Sequence, residues 1–380
     1  MINKKALQVT TDEWPEFKKE LLGDKEVNKE YKKLKPKKLL LAGSHAGSTA
    51  IAVIEEIKKR NLNWEIHWVG MEYKNFQGLD IIFHNLESGK IENKFTKNTI
   101  SNFLKIPIGF IHGYKLVKDI KPDLTFSFGS ATGAVSAFWS IFFGIPVIIH
   151  EQTATAGRAN IISSHFARTI LLSRESSLNF FNKSKSEVVG NPINSEYLKY
   201  IGIKPNLRVK SILITGGSRG STWLNDAIAP ILPRLLEKYY ILHQTGEANF
   251  EKFEYIKDEK YLSFGQVDPK NMAVVMSKAD IVIARSGANT VSELAALKKP
   301  AILIPIPWTY NDEQQKNAKY MESLGLARIL PQKELTAQKL LSEIEKLIND
   351  YSKVVKITED LESEDLHASE KIVDILEENI

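Results

Sequence analysis

The chain has 380 residues, of which 43% are hydrophobic and 26% charged, and these values predict a globular protein of two domains. It contains no cysteine, which excludes disulfides and thiol chemistry, and its first residues lack the apolar core of a signal peptide, so we expect no secretion. The formal net charge of +5 permits an anionic partner, but no nucleic-acid-binding motif occurs, and we predict no nucleic-acid partner.

The first part of the chain predicts an extension followed by an α/β domain. Residues 1–36 are rich in lysine and glutamate and predict a solvated helical extension. Residues 37–194 are predicted to form the first domain, with strands at 38–42, 65–70, 80–83, 123–128 and 147–149. The strand at 38–42 runs into a loop of small residues around His45, and a helix is expected at about 50–60.

Residues 96–121 carry a helical pattern in which apolar and aromatic residues recur and lysines flank them. The apolar positions are Phe103, Pro107, Phe110, Tyr114 and Val117, and the lysines include Lys105 and Lys115. This pattern suits a helix that lies in a membrane interface rather than spanning the bilayer, so we predict that the segment docks on a membrane. The alternative is an ordinary amphipathic helix whose apolar face packs on the sheet.

The second domain is predicted at 209–365, after a linker at 195–208. Strands are expected at 211–215, 240–243, 261–264, 280–284, 301–304 and 328–330, with helical segments between them. This alternation predicts a parallel sheet with crossover helices. A terminal helix is expected at 371–377.

Two turns of small residues in the second domain each join a buried strand to a helix, at 216–220 and at 285–288. Free backbone N–H groups and the positive end of the helix dipole make such a turn an anion site, and phosphate is its usual occupant. Glu293 follows the second turn and suits the hydroxyls of a ribose, while the amides of the predicted loop 311–317 suit a sugar. Features that suit a phosphate, a ribose and a sugar thus follow one another along the chain, and this order predicts a nucleotide-sugar site. The alternative is that such units occur in any α/β protein.

These motifs resemble the donor half of the MurG-type glycosyltransferases. They read GGSRG at 216–220, HQTGE at 243–247, ADIVIARSGANTVSELAAL at 279–297 and DEQQKNA at 312–318, and the similarity continues upstream through GIPVIIHEQTATAGRAN at 144–160 and VGNPIN at 189–194. The resemblance implies the GT-B fold, an α/β architecture of two Rossmann-like parallel-sheet domains facing across a cleft. It also implies that the C-terminal helix, about 366–380, packs back onto the first domain.

The resemblance further implies an inverting transfer of N-acetylglucosamine from UDP-N-acetylglucosamine to lipid I, an undecaprenyl-linked acceptor, to form lipid II. The protein would act peripherally on the cytoplasmic face of the cell membrane. No Asp-X-Asp motif occurs, so we predict no metal ion or other cofactor. By resemblance, Ser218 and the turn 286–288 contact the diphosphate, Glu293 the ribose, and Gln314 with Asn317 the N-acetylglucosamine. Each of the two arginines in this half, Arg219 and Arg285, is a candidate to stabilise the departing diphosphate; the alternative is that it is an ordinary surface charge. The predicted donor-binding residues are Ser218, Arg219, Arg285, Ser286, Gly287, Ala288, Glu293, Gln314 and Asn317.

The acceptor side departs from the family pattern. Ser48 stands where the family has the histidine proposed as general base, and His45 lies three residues earlier. Thr153 replaces an asparagine and Asn194 an arginine. The acceptor-side residues implied by the resemblance are Gly129, Thr132, Thr153, Asn160 and Asn191.

The reaction needs a base to deprotonate the acceptor hydroxyl, and the candidates are His45, Glu151 and His150. The divergent loops leave three other functions open. The protein could transfer to another membrane lipid or glycan acceptor, it could be a UDP-N-acetylglucosamine 2-epimerase, or it could be a non-catalytic UDP-sugar-binding subunit.

Overall fold

A computed structural model of the chain describes residues 35–380, apart from 45, 72–75, 77, 87–98, 207 and 218, and it describes only the backbone at 99–106 and 269–270. His45, Ser218 and residues 1–34 of the predicted extension therefore lie outside the described residues. Within the described part, the chain forms two parallel sheets flanked by helices.

The first sheet contains β1 to β7, paired in parallel in the order β3-β2-β1-β4-β5-β6-β7. The strands are β1 Lys37–Gly43, β2 Trp64–Gly70, β3 Ile82–His84, β4 Leu124–Ser127, β5 Val147–Glu151, β6 Thr169–Leu172 and β7 Ser186–Val188. The central strands β4 and β5 are buried along their whole length. Helices cover both faces of such a sheet, which is why these strands are continuous apolar runs in the sequence.

The second sheet has the order β10-β9-β8-β11-β12-β13, again parallel. Its strands are β8 Ser211–Thr215, β9 Tyr240–Gln244, β10 Tyr261–Phe264, β11 Ile281–Ala284, β12 Ala301–Leu303 and β13 Ala327–Ile329. In each sheet the strand order reverses beside the first strand, which is the doubly wound arrangement. The predicted architecture of two Rossmann-like α/β domains is confirmed.

The helices alternate with the strands. They are α1 Gly47–Lys59, α2 Thr99–Ile120, α3 Ser130–Phe142, α4 Arg158–Ser164, α5 Ser195–Leu198, α6 Thr222–Ile228, α7 Leu232–Leu236, α8 Glu247–Phe250, α9 Pro269–Lys278, α10 Ala288–Ala296, α11 Glu313–Ser323, α12 Ala337–Ile357 and α13 Ala368–Glu377. Among the described helices, none combines the length and the apolar character needed to cross a bilayer.

The C-terminal helix α13 packs on the first sheet's side of the molecule. Its buried residues Ile372, Val373 and Leu376 join the same apolar cluster as Ile54 of α1. Arg60, just after α1, pairs with Asp374 and Glu377 of α13 (Nη1 to Glu377 Oε2, 2.8 Å). The chain thus passes from the first sheet to the second after β7 and returns to the first sheet with α13.

Two local predictions are wrong. The stretch 311–317 is not a loop, because α11 begins at Glu313; Asn311 and Asp312 take left-handed φ values of 50° and 53° and turn the chain into that helix. Part of the face of α2 that we assigned to a membrane is a packing face, although Pro107 on that face is exposed. Phe110 and Tyr114 contact Trp139 of α3, with ring centroids 4.9 and 5.0 Å apart, and Val117 is buried.

Candidate active site

The carboxyl ends of the two sheets meet at a seam, which is where ligands bind in open parallel sheets. The Nδ2 of Asn191, after β7, donates to Asn289 Oδ1 of α10 over 3.1 Å, and Thr49 Oγ1 of α1 lies 3.4 Å from the same oxygen. The backbone N–H of Ala154, after β5, donates to Asn317 Oδ1 of α11 over 3.1 Å. The predicted acceptor-side residue Asn191 therefore contacts the second domain directly.

The two small-residue turns of the second domain, at 216–220 and 285–288, present free backbone to this seam. A Cβ placed on Gly217 or on Gly287 would meet nothing within 4 Å, so a ligand can approach the backbone at both. Gly287 caps α10, and the first N–H groups of that helix have no intrahelical partner. Ser286 Oγ donates to the carbonyl of Gln314 over 2.8 Å, which holds the second turn against α11. The two turns therefore offer an anion site of the predicted kind.

Arg285 lies beneath both turns and is only 7% exposed. Its Nη2 donates to Ser221 Oγ over 2.8 Å and its Nη1 to the carbonyl of Ile304 over 3.0 Å. Burial lowers the pKa of Arg285 to about 10, and no described carboxylate pairs with it. A buried cation without an acidic partner favours an anion nearby. Arg219, by contrast, is exposed on the first turn.

Glu293 is partly buried on α10, and burial raises the pKa of its carboxyl to about 7. Tyr197, from α5, acts in the opposite direction and lowers this pKa. Tyr197 is 1% exposed and packs beside Val291 and Leu294 of the same helix. The sequence analysis missed Tyr197, because nothing in a linker segment signals a partner on a distant helix.

The two predicted sugar-binding amides are already engaged in protein contacts. Gln314 Oε1 accepts from the N–H of Ile306 over 3.0 Å. Asn317 is buried, and its Nδ2 donates to the carbonyl of Ser286 over 3.1 Å while its Oδ1 binds Ala154. Asn317 thus ties the loop after β5 to the second small-residue turn.

Glu151, at the end of β5, is 4% exposed, and its four acceptor positions are filled. Oε1 accepts from the N–H and the hydroxyl of Thr153 (3.2 and 2.9 Å), and Oε2 accepts from the N–H of Gly157 and Nδ2 of Asn160 (2.9 and 3.0 Å). Burial raises the pKa of Glu151. This geometry does not fit the base role that we predicted; it fits a carboxylate that shapes the loop 152–160.

His150 is fully buried, and its Nε2 lies 3.0 Å from the carbonyl of Gly190. Burial lowers the pKa of His150 to about 4, so the ring is neutral near pH 7. It lies behind the site in contact with Phe126 and Phe128, with ring centroids 6.3 and 6.2 Å away. His150 is therefore a structural residue rather than the base.

The two small-residue loops of the first domain touch each other through hydroxyls. Ser44 Oγ lies 2.8 Å from Thr132 Oγ1, and the N–H of Ser44 donates to Ser130 Oγ over 3.0 Å. Gly129 has a φ of 82°, and a Cβ there would lie 2.9 Å from Asn160 Oδ1, so only glycine fits. Gly129, Thr132 and Asn160 are thus brought together at the carboxyl ends of β4 and β5.

Glu313 is a second carboxylate at the seam that the sequence analysis passed over. It is partly buried at the start of α11, and none of the described residues hydrogen-bonds to it. Lys316 and Asn317 follow at helical spacing on the same face, and they contact Thr155 and Ala154 of the first domain. Burial, and then the charge of Glu151, raise the pKa of Glu313. Across the described residues, no group of three histidine or acidic side chains is arranged to hold a metal ion.

Known families match both halves of the chain. The glycosyltransferase family 28 C-terminal domain matches residues 211–375, and the N-terminal domain of the same family matches residues 48–172. These matches, the paired parallel sheets and the donor-side turns define a glycosyltransferase of the GT-B fold.

Similar proteins narrow this class. The UDP-N-acetylglucosamine–N-acetylmuramyl-(pentapeptide) pyrophosphoryl-undecaprenol N-acetylglucosamine transferase 1 of Bacillus cereus is 30% identical over 334 residues, covering 82% of this chain and 91% of that protein. The transferase of the same name from Halalkalibacterium halodurans is also 30% identical, covering 82% and 90%. The crystal structure of Acinetobacter baumannii MurG has a TM-score of 0.67 at 25% identity and covers 90% of this chain and 100% of that one. The chain belongs to the MurG-type N-acetylglucosamine transferases.

A UDP-GlcNAc 2-epimerase from Neisseria meningitidis shares the fold, with a TM-score of 0.66 at 15% identity over 90% of this chain and 100% of that chain. At this identity the likeness shows the architecture alone.

Proposed function

We propose that this protein transfers N-acetylglucosamine from UDP-N-acetylglucosamine to lipid I, the undecaprenyl-pyrophosphoryl-linked N-acetylmuramyl pentapeptide, to form lipid II. The observation that carries the proposal is the donor side of the seam. This side offers groups that suit the successive parts of a UDP-sugar. The open backbone at Gly217 and Gly287 and the buried cation of Arg285 suit the diphosphate, and the carboxylate of Glu293 suits the ribose. The curated relatives bear this activity in their names.

In the donor complex, the diphosphate lies against the two turns above Arg285. Glu293 accepts hydrogen bonds from the ribose hydroxyls, and Gln314 contacts the N-acetylglucosamine. Asn317 supports this arrangement from behind, because its amide holds both the Ser286 carbonyl and the first-domain loop at Ala154.

In the transfer step, an acceptor hydroxyl attacks the anomeric carbon while the bond from that carbon to the β-phosphate oxygen breaks. The configuration inverts, the hydroxyl proton passes to a base, and UDP leaves. Negative charge develops on the departing diphosphate, where the helix N-termini and Arg285 stabilise it. His45 remains the predicted base. Glu313 is the alternative, because its carboxylate lacks a described hydrogen-bond partner and its raised pKa makes it a stronger base.

The acceptor is proposed to lie on the first-domain loops around Gly129, Thr132 and Asn160. Hydroxyls and backbone groups dominate there, and Glu151 keeps Thr153 and Asn160 in place through its hydrogen bonds. Such a surface suits a polar head group rather than an apolar tail.

The membrane surface is proposed to be formed by three adjacent helices of the first domain. Helix α3 packs between α2 and α4. Large apolar side chains are exposed on these helices or, for Phe166, just after α4, with Ile111 at 66% and Phe142 at 65%: Ile108, Ile111, Phe138, Phe142, Ile162 and Phe166. Lys115 and Lys118 are exposed on α2 beside them. Exposed apolar groups flanked by lysines suit a peripheral contact with an anionic membrane.

The test is to incubate the protein with labelled UDP-N-acetylglucosamine and lipid I in detergent micelles. We expect one N-acetylhexosamine to be added to lipid I and one UDP to be released per transfer. Conversion of the sugar nucleotide without acceptor would instead identify an epimerase. Transfer only to a different lipid or glycan would mean that lipid I is not the acceptor. Tight UDP binding without any transfer would identify a binding subunit.

A further inference from the structure

The hydroxyl of Thr215 lies where β8 runs into the first small-residue turn, 216–220. Thr215 is the last residue of β8, is 3% exposed, and pairs in register with Gln244, the last residue of β9. Its Oγ1 accepts from the backbone N–H of Gly217 over 3.0 Å. The same hydroxyl donates its proton to Oε1 of Gln244 over 2.6 Å. Because a hydroxyl has one proton, the bond to Gln244 orients Thr215 so that a lone pair faces Gly217.

This hydrogen bond acts on the part of the turn where a ligand can approach the backbone. Gly217 has a φ of 82°, and a Cβ placed on it would meet nothing within 4 Å. Its carbonyl accepts from the N–H of Gly220 over 2.9 Å, which closes the turn. A glycine at positive φ has many accessible conformations, so a turn with two such glycines needs outside contacts to hold one of them. Thr215 supplies such a contact at Gly217.

The far end of the turn is held by other groups. Gly220 has a φ of 73°, and a Cβ there would lie 2.2 Å from the carbonyl oxygen of Thr245, so the turn packs closely on the end of β9. Ser221 caps α6, and its Oγ accepts from Nη2 of Arg285 over 2.8 Å. At the near end, among the described residues, the side chain that hydrogen-bonds to the turn is that of Thr215.

We propose that Thr215 is a positioning residue of the donor site, whose hydroxyl, oriented by Gln244, holds the turn 216–220 in the conformation that receives a diphosphate. The proposal rests on the proposed function, which seats UDP on this turn. Backbone dipoles that are already oriented bind an anion more tightly, because they need not be ordered when it arrives. Thr215 is buried and acts through the backbone of the turn, not by contact with the substrate.

The variant Thr215→Val in the full chain tests this role, because valine keeps the branched shape and removes only the hydroxyl. The readout is the ratio of the affinities for UDP and uridine, which share the base and the ribose and differ by the diphosphate. Calorimetry measures the Kd of UDP, and competition with UDP measures that of uridine. We expect UDP to bind about three- to tenfold more weakly and uridine to bind as in the wild type. A loss of folded protein would weaken both ligands equally, so the ratio separates positioning from stability.

Two further variants serve as controls. Thr215→Ser keeps the hydroxyl and should bring the ratio back to within about twofold of the wild type. Thr125→Val removes another buried hydroxyl, which lies 2.7 Å from Ser140 Oγ in the first domain, and should leave the ratio unchanged.

The possible failures can be told apart. A wild-type ratio in Thr215→Val, or a ratio that falls equally in Thr215→Ser or Thr125→Val, would overturn the positioning role and leave the transferase assignment in place. If the wild-type protein binds UDP no better than uridine, the turn holds no diphosphate, and the proposed function fails together with this inference.

Discussion

At the scale of single residues, the site consists of ionisable groups whose surroundings differ. Arg285 is a buried cation that no described acid pairs with, Glu293 is a partly buried carboxyl whose pKa burial raises to about 7, and Glu151 is a carboxylate with every acceptor position filled. The first two remain available to a ligand, and the third is committed to its own loop. This difference separates binding residues from shaping residues better than residue type does.

Replacing Glu293 by alanine should remove most UDP affinity and leave the fold intact. A partly buried carboxylate that accepts from ribose hydroxyls should contribute about 2–4 kcal/mol to binding. Calorimetry with UDP measures the change, and Glu322→Ala, an exposed acid on α11, is the control. A change in the Kd for UDP of less than about threefold would show that Glu293 does not bind the ribose.

Replacing Glu151 by glutamine should lower stability rather than act only on the chemical step. The new NH₂ group would face N–H and amide donors in place of an acceptor, which costs about 1–3 kcal/mol. We expect a lower midpoint of thermal unfolding. A large loss of kcat with an unchanged unfolding curve would restore Glu151 as the base.

The base is tested by comparing His45→Ala with Glu313→Gln at saturating donor. The true base should lose about two to four orders of magnitude in kcat, with UDP affinity nearly unchanged. We expect one of the two variants to show this loss and the other to stay within about tenfold of the wild type. If both stay within that range, neither residue is the base.

At the scale of elements, periodicity identified α2 correctly but assigned part of its packing face to a membrane. The aromatic residues Phe110 and Tyr114 pack on Trp139, and the exposed apolar groups Ile108 and Ile111 lie on the other side of the helix. A helix with apolar groups on two sides needs its neighbours before either side can be assigned. The membrane surface therefore combines α2, α3 and α4 rather than a single segment.

Charge reversal at Lys115 and Lys118 together should weaken binding to anionic vesicles by at least about tenfold, because each lysine near such a surface contributes about 1 kcal/mol. Sedimentation with vesicles measures partitioning, which should fall with added salt. Lys353→Glu with Lys356→Glu, exposed on α12, is the matched control. Equal partitioning of both double variants would remove α2 from the membrane surface.

At the scale of the whole molecule, a buried ion pair joins the two halves. Arg174, after β6, binds Asp365 through two hydrogen bonds of 2.6 and 2.8 Å. The same guanidinium binds Ser292 of α10 and lies 4.0 Å from the ring centre of Tyr320 of α11. Asp365 also accepts from the N–H of Asn191 over 2.7 Å. The seam beside the donor site is thus fixed by charge as well as by apolar packing.

The variant Asp365→Ala should lower the free energy of unfolding by about 3–5 kcal/mol, because it leaves a buried guanidinium unpaired. Chemical denaturation measures this change. Glu196→Ala breaks the exposed pair with Lys199 and should cost less than about 1 kcal/mol. Similar losses for the two variants would mean that the buried pair does not hold the seam.

The sequence by itself determined the two parallel sheets, most element positions and the donor-side turns. Apolar runs, small-residue turns and helix starts are properties of neighbouring residues, so they can be recognised without the fold. The start of α11 was missed because two non-glycine residues adopt left-handed φ values there, and no residue type signals that.

Only the tertiary structure decided which side chains meet across the seam. It filled every acceptor position of Glu151, gave Asn317 partners in both domains and left Glu313 without a described hydrogen bond. Burial and the choice of hydrogen-bond partner depend on segments that are distant in sequence and meet only when the two domains close on each other. The physical character of each carboxylate is therefore a property of the fold, although its position in the chain was visible from the start.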